Sequence, residues 1–338
     1  MLKIVYAGSP EISVPCLKKI AELQLQKNEC CLLAVITNPD STKGRSASST
    51  PTPVGTCAWQ ISELFTEKKT EPPDIFKVPQ IDSQTIKQIK NLQADILICF
   101  AYGTIFTPEF TDIFKLGGIN VHPSLLPKYR GPTPIPAAIL NRDAETGITI
   151  QKVAPKIDSG DILLQQKFQL NGVETTKSLS ETVAVESAAL LEKFLASPNE
   201  YFDRATAQNN NNASYCPLLK KDDALINWND SAANIEAKIR AYNPWPMSYT
   251  FANDTKINVL EASVLSQKEL NSILDINTEV LCNAAFGTVL GNNKKTGIII
   301  KTGGSFIAVK RLQAAARKAL DHNSFLNGAK DFIGTVLK

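Results

Sequence analysis

The most informative segment of the chain reads Gly118-Ile119-Asn120-Val121-His122-Pro123-Ser124-Leu125-Leu126-Pro127, followed by Arg130-Gly131. Its first four residues form a short, largely apolar run that is typical of a buried strand, and Pro123 ends that strand. Similar apolar runs alternate with helical segments over the first half of the chain. The alternation predicts an α/β fold built on a doubly wound, mostly parallel sheet. In such sheets the ligand site lies at the carboxyl ends of the strands, where His122 falls.

Two polar side chains leave this strand from the same face, because Asn120 and His122 are two residues apart. An amide donor and an imidazole could together hold a developing oxyanion and move a proton. The alternative is that His122, one of only two histidines in the chain, is a hydrogen-bonded core residue. Asp158 favours the catalytic interpretation, because it lies in a polar turn between two strand-like runs and its carboxylate could orient and charge the imidazole.

Composition limits the class of protein. The length of 338 residues predicts two domains, and no apolar run reaches the length of a membrane span. Seven scattered cysteines are typical of a reducing cytoplasm, and with two histidines and no clustered cysteines a metal site is not expected. The first turn has one glycine, Gly8, rather than a G-x-G-x-x-G motif, which disfavours a dinucleotide.

The last third of the chain changes in pattern. A predicted helix over 231–242 is followed by five or six short strands, which indicates a small OB-like barrel. The sequence thus predicts an α/β domain over residues 1–207, a linker over 208–224 and a β-barrel domain over 225–338. From Phe286 to Lys338 nine lysines and arginines face two aspartates. This surplus suits a nucleic-acid phosphate backbone, although a solvated surface would show it too.

Several motifs together resemble the formyl-tetrahydrofolate-dependent formyltransferases, and the similarity extends over nearly the whole chain. The central three motifs occur in the family's order and spacing, at Asn120–Gly131, Asp143–Ile150 and Asp158–Asp161. Shorter matches occur at Ala7–Pro10, Thr37–Asp40 with Gly44-Arg45, and Phe100–Gly103. Tyr242–Pro246 and the basic segment Leu312–Lys318 resemble the appended domain of the members that act on methionyl-tRNA.

The resemblance implies transfer of the formyl group of 10-formyltetrahydrofolate to the α-amine of methionyl initiator tRNA, for translation initiation. Asn120, protonated His122 and Asp158 would be catalytic, with no metal, in a cytoplasmic monomer. The folate co-substrate would contact one group of residues, which consists of Ser124, Leu125, Leu126, Pro127, Ala101, Tyr102 and Gly103. The tRNA would contact a second group, which consists of Arg45, Lys43, Lys221, Arg317 and Lys318.

Other activities remain open on sequence alone. They are formyl transfer to an amino-sugar nucleotide, hydrolysis of formyl-tetrahydrofolate, and RNA binding without catalysis. The loop over 37–54 also departs from the family pattern, because Gly44-Arg45-Ser46-Ala47-Ser48 replaces the common Gly-Arg-Gly-Lys-Lys. Its small polar residues and prolines predict a loop without regular structure that is mobile in the free protein.

Overall fold

The computed structural model describes residues 1–42, 48–274, 281, 283–329 and 331–338. The chain forms two compact units. The first unit comprises Met1–Pro134, Glu145–Gln169 and Leu179–Pro217, and the second comprises Ile135–Ala144, Leu170–Ser178 and Leu218–Lys338. The polar tract that begins at Gln208 therefore packs with the first unit, although the sequence predicts a linker over 208–224.

A seven-stranded sheet forms the centre of the first unit. With strands numbered in chain order, its members are β1 (Leu2–Gly8), β2 (Cys30–Thr37), β5 (Asp74–Lys77), β6 (Ile96–Phe100), β7 (Gly118–His122), β8 (Glu145–Lys152) and β9 (Ile162–Gln169). The spatial order is β5-β2-β1-β6-β7-β8-β9. The five strands β5, β2, β1, β6 and β7 are parallel to one another. β8 pairs antiparallel with β7, and β9 pairs antiparallel with β8.

The central strands are almost entirely apolar and buried, as expected for strands covered on both faces. The chain runs outward from β1 to β2 and β5 and then returns to place β6 on the other side of β1. This reversal is the switch point at which open α/β sheets bind ligands. It lies between the carboxyl ends of β1 and β6, next to β7.

Seven helices accompany these strands along the chain in its described part. They are α1 (Val14–Lys27), α2 (Pro53–Glu67), α3 (Ser83–Asn91), α4 (Pro108–Thr111), α5 (Pro134–Leu140), α6 (Thr176–Ala196) and α7 (Pro198–Asp203). Side-chain caps fix where two of them begin. Thr52 Oγ1 accepts from the Gly55 N–H at 2.9 Å, and Asp82 Oδ1 accepts from the Thr85 N–H at 2.8 Å.

The segment over 37–54 has more regular structure than the sequence predicts. Ser41–Thr42 (β3) pairs antiparallel with Ser49–Thr50 (β4), and the helix α2 begins at Pro53. Such two-residue strands are too short to produce an alternating pattern, which is why the sequence does not indicate them. The predicted tRNA contacts Lys43 and Arg45 lie outside the described residues, so the predicted mobility of this loop stays a prediction.

In its described residues the second unit contains a six-stranded antiparallel sheet and three short helices, in addition to α5, most of which also belongs to this unit. The strands are β10 (Tyr249–Ala252), β11 (Thr255–Leu265), β12 (Val289–Asn293), β13 (Gly297–Lys301), β14 (Phe306–Ala314) and β15 (Leu320–Asp321). They lie in the order β10-β11-β14-β13-β12, with β15 beside β14. The helices are α8 (Ala232–Ala241), α9 (Gln267–Ile273) and α10 (His322–Asn327).

The core of this sheet is apolar and includes Trp228, whose indole N–H donates to Thr250 Oγ1 at 2.9 Å. The predicted fold class, a mostly parallel α/β sheet followed by an OB-like β domain, is confirmed. Within the described residues, no helix combines the length and the apolar character that crossing a membrane requires.

Candidate active site

The carboxyl end of β7 positions the first two candidate residues. Asn120 pairs in register with Cys99 on β6 and with Gln151 on β8, and His122 pairs with Thr149. Because the strand is paired on both sides, the directions of its side chains are fixed. Asn120 is half-buried and the His122 side chain is 5 % exposed.

Asp158 returns to this strand end from the turn between β8 and β9, as the sequence predicts. Its Oδ2 accepts from the Gly131 N–H at 2.7 Å. Its Oδ1 accepts from Asn120 Nδ2 at 3.3 Å and from Gln151 Nε2 at 3.0 Å, and it lies 3.5 Å from His122 Nδ1. The structure thus brings the three predicted catalytic residues together around one carboxylate, which is held by three N–H donors.

The second ring nitrogen of His122 has a partner of its own. His122 Nε2 lies 2.9 Å from the carbonyl oxygen of Tyr129. A carbonyl only accepts, so this contact places the proton of a neutral imidazole on Nε2 and leaves Nδ1 as the basic nitrogen, beside Asp158.

Burial sets the ionisation state of His122. Loss of solvent lowers the pKa of the imidazole, and this effect outweighs the opposing effects of Asp158 and of the hydrogen bond to Tyr129. The free protein therefore favours neutral His122 near pH 7. The protonated His122 that the resemblance implies for the reaction stays a prediction, and burial favours the neutral form before the reaction begins.

Two glutamines of this site, Gln151 and Gln208, were not predicted from the sequence. Gln151 donates to Asp158, and Gln208 Nε2 lies 3.2 Å from Gln151 Oε1, 3.0 Å from the Asp158 carbonyl oxygen and 2.7 Å from that of Gly160. Gln151 could have been found, because it lies on the strand-like run before Asp158. Gln208 gives no such signal, because it opens a low-complexity tract 50 residues further on.

Arg130 lies under the same turn and is 2 % exposed. Its guanidinium donates to Gln208 Oε1 through Nε at 3.0 Å and through Nη2 at 2.7 Å. It also donates to Asn210 Oδ1 at 2.9 Å and to the Tyr215 hydroxyl at 3.2 Å. The arginine of the first motif is therefore a buried element of this site.

Comparison with known proteins finds relatives over nearly the whole chain. Residues 2–195 match the family model described as formyl transferase, and residues 218–330 match its C-terminal domain. Over 335 residues the chain is 42 % identical to a methionyl-tRNA formyltransferase of Treponema denticola, covering 98 % of each protein. The chain belongs to the methionyl-tRNA formyltransferase family. The resemblance inferred from the sequence motifs is confirmed.

Two further comparisons extend this result. A methionyl-tRNA formyltransferase of Treponema pallidum is 34 % identical over 335 residues, with 97 % of each protein covered. Among solved structures, an N-formyltransferase from Helicobacter canadensis, in complex with folinic acid and dTDP-3-aminofucose, matches with a TM-score of 0.60. It is 19 % identical, and the match covers 91 % of this chain and 99 % of that one, so it shows the shared fold alone.

The residues that are expected to line a folate cleft differ in how far their side chains are exposed to solvent. Three are buried, and their polar groups bond to the protein itself. Ser124 Oγ donates to the Lys128 carbonyl at 2.6 Å, the Leu126 N–H donates to Thr149 Oγ1 at 3.1 Å, and Tyr102 Oη donates to the Val78 carbonyl at 2.8 Å. These three side chains are packed as part of the protein interior.

The other folate candidates are more accessible. Leu125 and Pro127 are half-buried, and Ala101 and Gly103 are exposed. Ala101 and Gly103 both have positive φ angles, of 54° and 87°, so the chain bends sharply as it leaves β6. This bend presents backbone groups at the switch point of the sheet.

The described tRNA candidates all lie on the surface of the second unit. Lys221 begins the 3-10 turn Lys221–Ala224, and Arg317 and Lys318 lie in the turn between β14 and β15. The backbone of this second turn is held by Gln313 Nε2, which donates to the Arg317 carbonyl at 2.8 Å. Within the described residues, no cluster of histidine, cysteine and acidic side chains could hold a metal ion.

Proposed function

We propose that this protein transfers the formyl group of 10-formyltetrahydrofolate to the α-amine of methionine on initiator tRNA, and so acts in translation initiation. The observation that carries this proposal is the cluster of Asn120, His122 and Asp158 at the strand end, in a chain that aligns end to end with methionyl-tRNA formyltransferases. Six described cysteines carry free thiols, which supports a reducing compartment such as the cytoplasm.

The chemistry begins with attack of the unprotonated amine on the formyl carbon. A nitrogen–carbon bond forms, and the formyl oxygen becomes an oxyanion of the tetrahedral intermediate. Asn120 has two amide hydrogens, of which one points to Asp158, so the other can be donated to this oxyanion. Stabilising the charge as it develops is the contribution expected of such a donor.

Proton transfer completes the reaction. Neutral His122 accepts a proton from the attacking nitrogen at Nδ1, and Asp158 stabilises the resulting imidazolium at a distance of 3.5 Å. The same proton then passes to N10 of the folate as the bond from N10 to the formyl carbon breaks. The products are formyl-methionyl-tRNA and tetrahydrofolate, and no covalent enzyme intermediate is needed.

Binding of the two substrates would use different kinds of groups. For the folate we expect contacts from the accessible residues Leu125, Pro127, Ala101 and Gly103. The buried Ser124, Leu126 and Tyr102 would support the folate cleft from the protein interior. For the tRNA we expect phosphate contacts from Lys221, Arg317 and Lys318 and from the loop residues Lys43 and Arg45. Exposed cations on a surface are suited to phosphate, whatever the base sequence.

An acceptor competition tests this function against the other activities. The protein is mixed with 10-formyltetrahydrofolate and with charged initiator tRNA, an amino-sugar nucleotide or buffer, and the fate of the formyl group is followed. We expect transfer to the tRNA at a rate at least a hundredfold above the other two. Rapid release of formate in buffer would favour a hydrolase, and transfer to the sugar would favour a sugar formyltransferase.

A further inference from the structure

Gln208 connects the buried Arg130 to the turn that carries Asp158. Its side-chain oxygen accepts two hydrogen bonds from the guanidinium of Arg130, at 3.0 and 2.7 Å. Its side-chain nitrogen faces three oxygens around the Asp158 turn. Every polar atom of this amide is therefore used inside the protein.

The nitrogen side of Gln208 holds the turn itself. The carbonyl groups of Asp158 and Gly160 both accept from it, so the backbone is fixed on either side of Ser159. Asp158 has a φ of 48°, a left-handed conformation that a non-glycine residue keeps only when its surroundings enforce it. Gln208 supplies two of the contacts that enforce it.

Gln208 also sets the orientation of Gln151. Because Gln151 Oε1 accepts from Gln208 at 3.2 Å, its amide nitrogen is turned towards Asp158 Oδ1, to which it donates at 3.0 Å. With the opposite amide orientation an oxygen would face the carboxylate. The donor that Asp158 receives from Gln151 therefore depends on Gln208.

The anchor of this arrangement is rigid. Arg130 pairs through its backbone with Ser214 and Cys216, both at 2.8 Å, and its side chain is buried. In the part of the chain that the structure describes, no carboxylate forms an ion pair with the guanidinium, and its partners are neutral oxygens of Gln208, Asn210 and Tyr215. A guanidinium fixed in this way forms strong, charge-assisted hydrogen bonds to the amide oxygen of Gln208.

We propose that Gln208 is a positioning residue for formyl transfer, which ties Gln151 and the Asp158 turn to the buried Arg130 and so keeps the Asp158 carboxylate within reach of Asn120 and His122. The inference rests on the proposed function. Gln208 acts through its neighbours and touches no reacting atom.

Two substitutions distinguish the role of the amide oxygen of Gln208, which accepts from Arg130, from that of its amide nitrogen, which donates to the Asp158 turn. Gln208→Glu keeps oxygens for Arg130 and adds an ion pair, but it removes the amide hydrogens that hold the turn. Gln208→Met keeps the volume and removes both halves. Asn211→Ala is the matched control, because Asn211 is exposed and lies in the same tract.

Steady-state kinetics of the full-length protein with charged initiator tRNA and 10-formyltetrahydrofolate give the first readout. We expect both Gln208 variants to lower kcat about tenfold to a hundredfold, the scale for a displaced catalytic group, with KM for each substrate within about threefold of the parent. Gln208→Glu should keep a Tm close to that of the parent, and Asn211→Ala should match the parent throughout.

Amide hydrogen exchange gives a second readout that needs no activity. The Gly131 N–H is bonded to the Asp158 carboxylate, so its exchange reports the position of that group. We expect exchange at Gly131 to be at least about tenfold faster in both Gln208 variants and unchanged in Asn211→Ala.

Unchanged kcat and unchanged Gly131 exchange in the Gln208 variants would overturn the positioning role. Loss of the folded state in both variants would also overturn it, because Gln208 would then serve stability in general. A parent protein that transfers no formyl group would count against the proposed function alone, since the exchange measurement would still decide the role of Gln208.

Discussion

Ionisation of His122 is the property on which the chemistry depends at the scale of single residues. Burial lowers its pKa below the ordinary value of 6.5, whereas Asp158 acts in the opposite direction. A neutral imidazole can accept a proton from the amine, and the adjacent carboxylate then makes the imidazolium less costly. The site is thus arranged for a base that becomes charged only during the reaction.

Direct titration of His122 is the first prediction. The chain has two histidines, so in a His322→Asn background the NMR signals of the one remaining imidazole, His122, are followed with pH. We expect the pKa of His122 to lie below 6.5, and to fall further in Asp158→Asn because the carboxylate that raises it is gone. Transfer should persist to a pH below 6.5. A measured pKa above 6.5 in the parent would contradict the account.

Stability should follow the same ionisation. The unfolded state binds a proton at His122 near pH 6.5, and the folded state binds it only at lower pH, so stability falls as the pH drops below about 6.5. His122→Gln should weaken this dependence. An unaltered slope of the unfolding free energy against pH in that variant would show that other groups cause it.

Substitution of the catalytic groups is the next prediction. His122→Ala should leave the fold intact and lower kcat by about two or more orders of magnitude, the scale for a lost proton carrier. Asp158→Asn should have a comparable effect, because it removes the charge that stabilises the imidazolium. Circular dichroism checks the fold, and the rate is measured with both substrates saturating. Near-normal turnover in either variant would remove that residue from the mechanism.

At the scale of elements, the sequence predicts strands better than it predicts the contacts between distant segments. β7 (Gly118–His122) covers the apolar run that the sequence predicts as a strand, because buried strands are short apolar runs that end at a proline or a polar residue. The cluster of Asn120, His122 and Asp158 is also predicted, because two of these residues share one face at a strand end and the third lies in a turn between two strand-like runs. Gln208 is not, because its contacts with Arg130 form by a return of the chain over 78 residues and leave no local pattern.

The segment between β3 and β4 is the element to test for tRNA contact. Arg45 follows β3 closely in sequence, and a planar guanidinium can bind phosphate or stack on a base. Arg45→Ala should lower kcat/KM for charged tRNA about tenfold or more and leave folate binding unchanged. Lys69→Ala, an exposed charge elsewhere in the first unit, is the control. Equal effects of the two substitutions would argue against a specific contact.

At the scale of the whole molecule, the net charge of +3 conceals a basic end to the chain. Arg317 and Lys318 are exposed, and a hydrogen bond from Gln313 to the Arg317 carbonyl holds the backbone of their turn. Both charges are therefore presented to solvent at one place on the surface. Binding of tRNA should therefore weaken steeply with salt, because each phosphate that is neutralised releases counterions.

Charge reversal tests this basic surface. The double variant Arg317→Glu/Lys318→Glu should weaken tRNA binding and reduce the slope of log Kd against log salt by about 2, one for each lost phosphate contact. Folate binding should not change. Lys87→Glu/Lys90→Glu on α3 alters the net charge equally and is the control. An equal loss of affinity in the two variants would show that net charge alone is responsible.

Following the formyl group itself tests directly whether this protein formylates methionyl-tRNA. Labelled 10-formyltetrahydrofolate and charged initiator tRNA are mixed with the parent protein or with Asp158→Asn, and labelled formyl-methionine released from the tRNA is measured over time. We expect rapid appearance of the label on methionine with the parent, matched by loss from the folate, and a rate lower by about two orders of magnitude with the variant. Label that stays on the folate, or that appears as free formate with the parent, would contradict it.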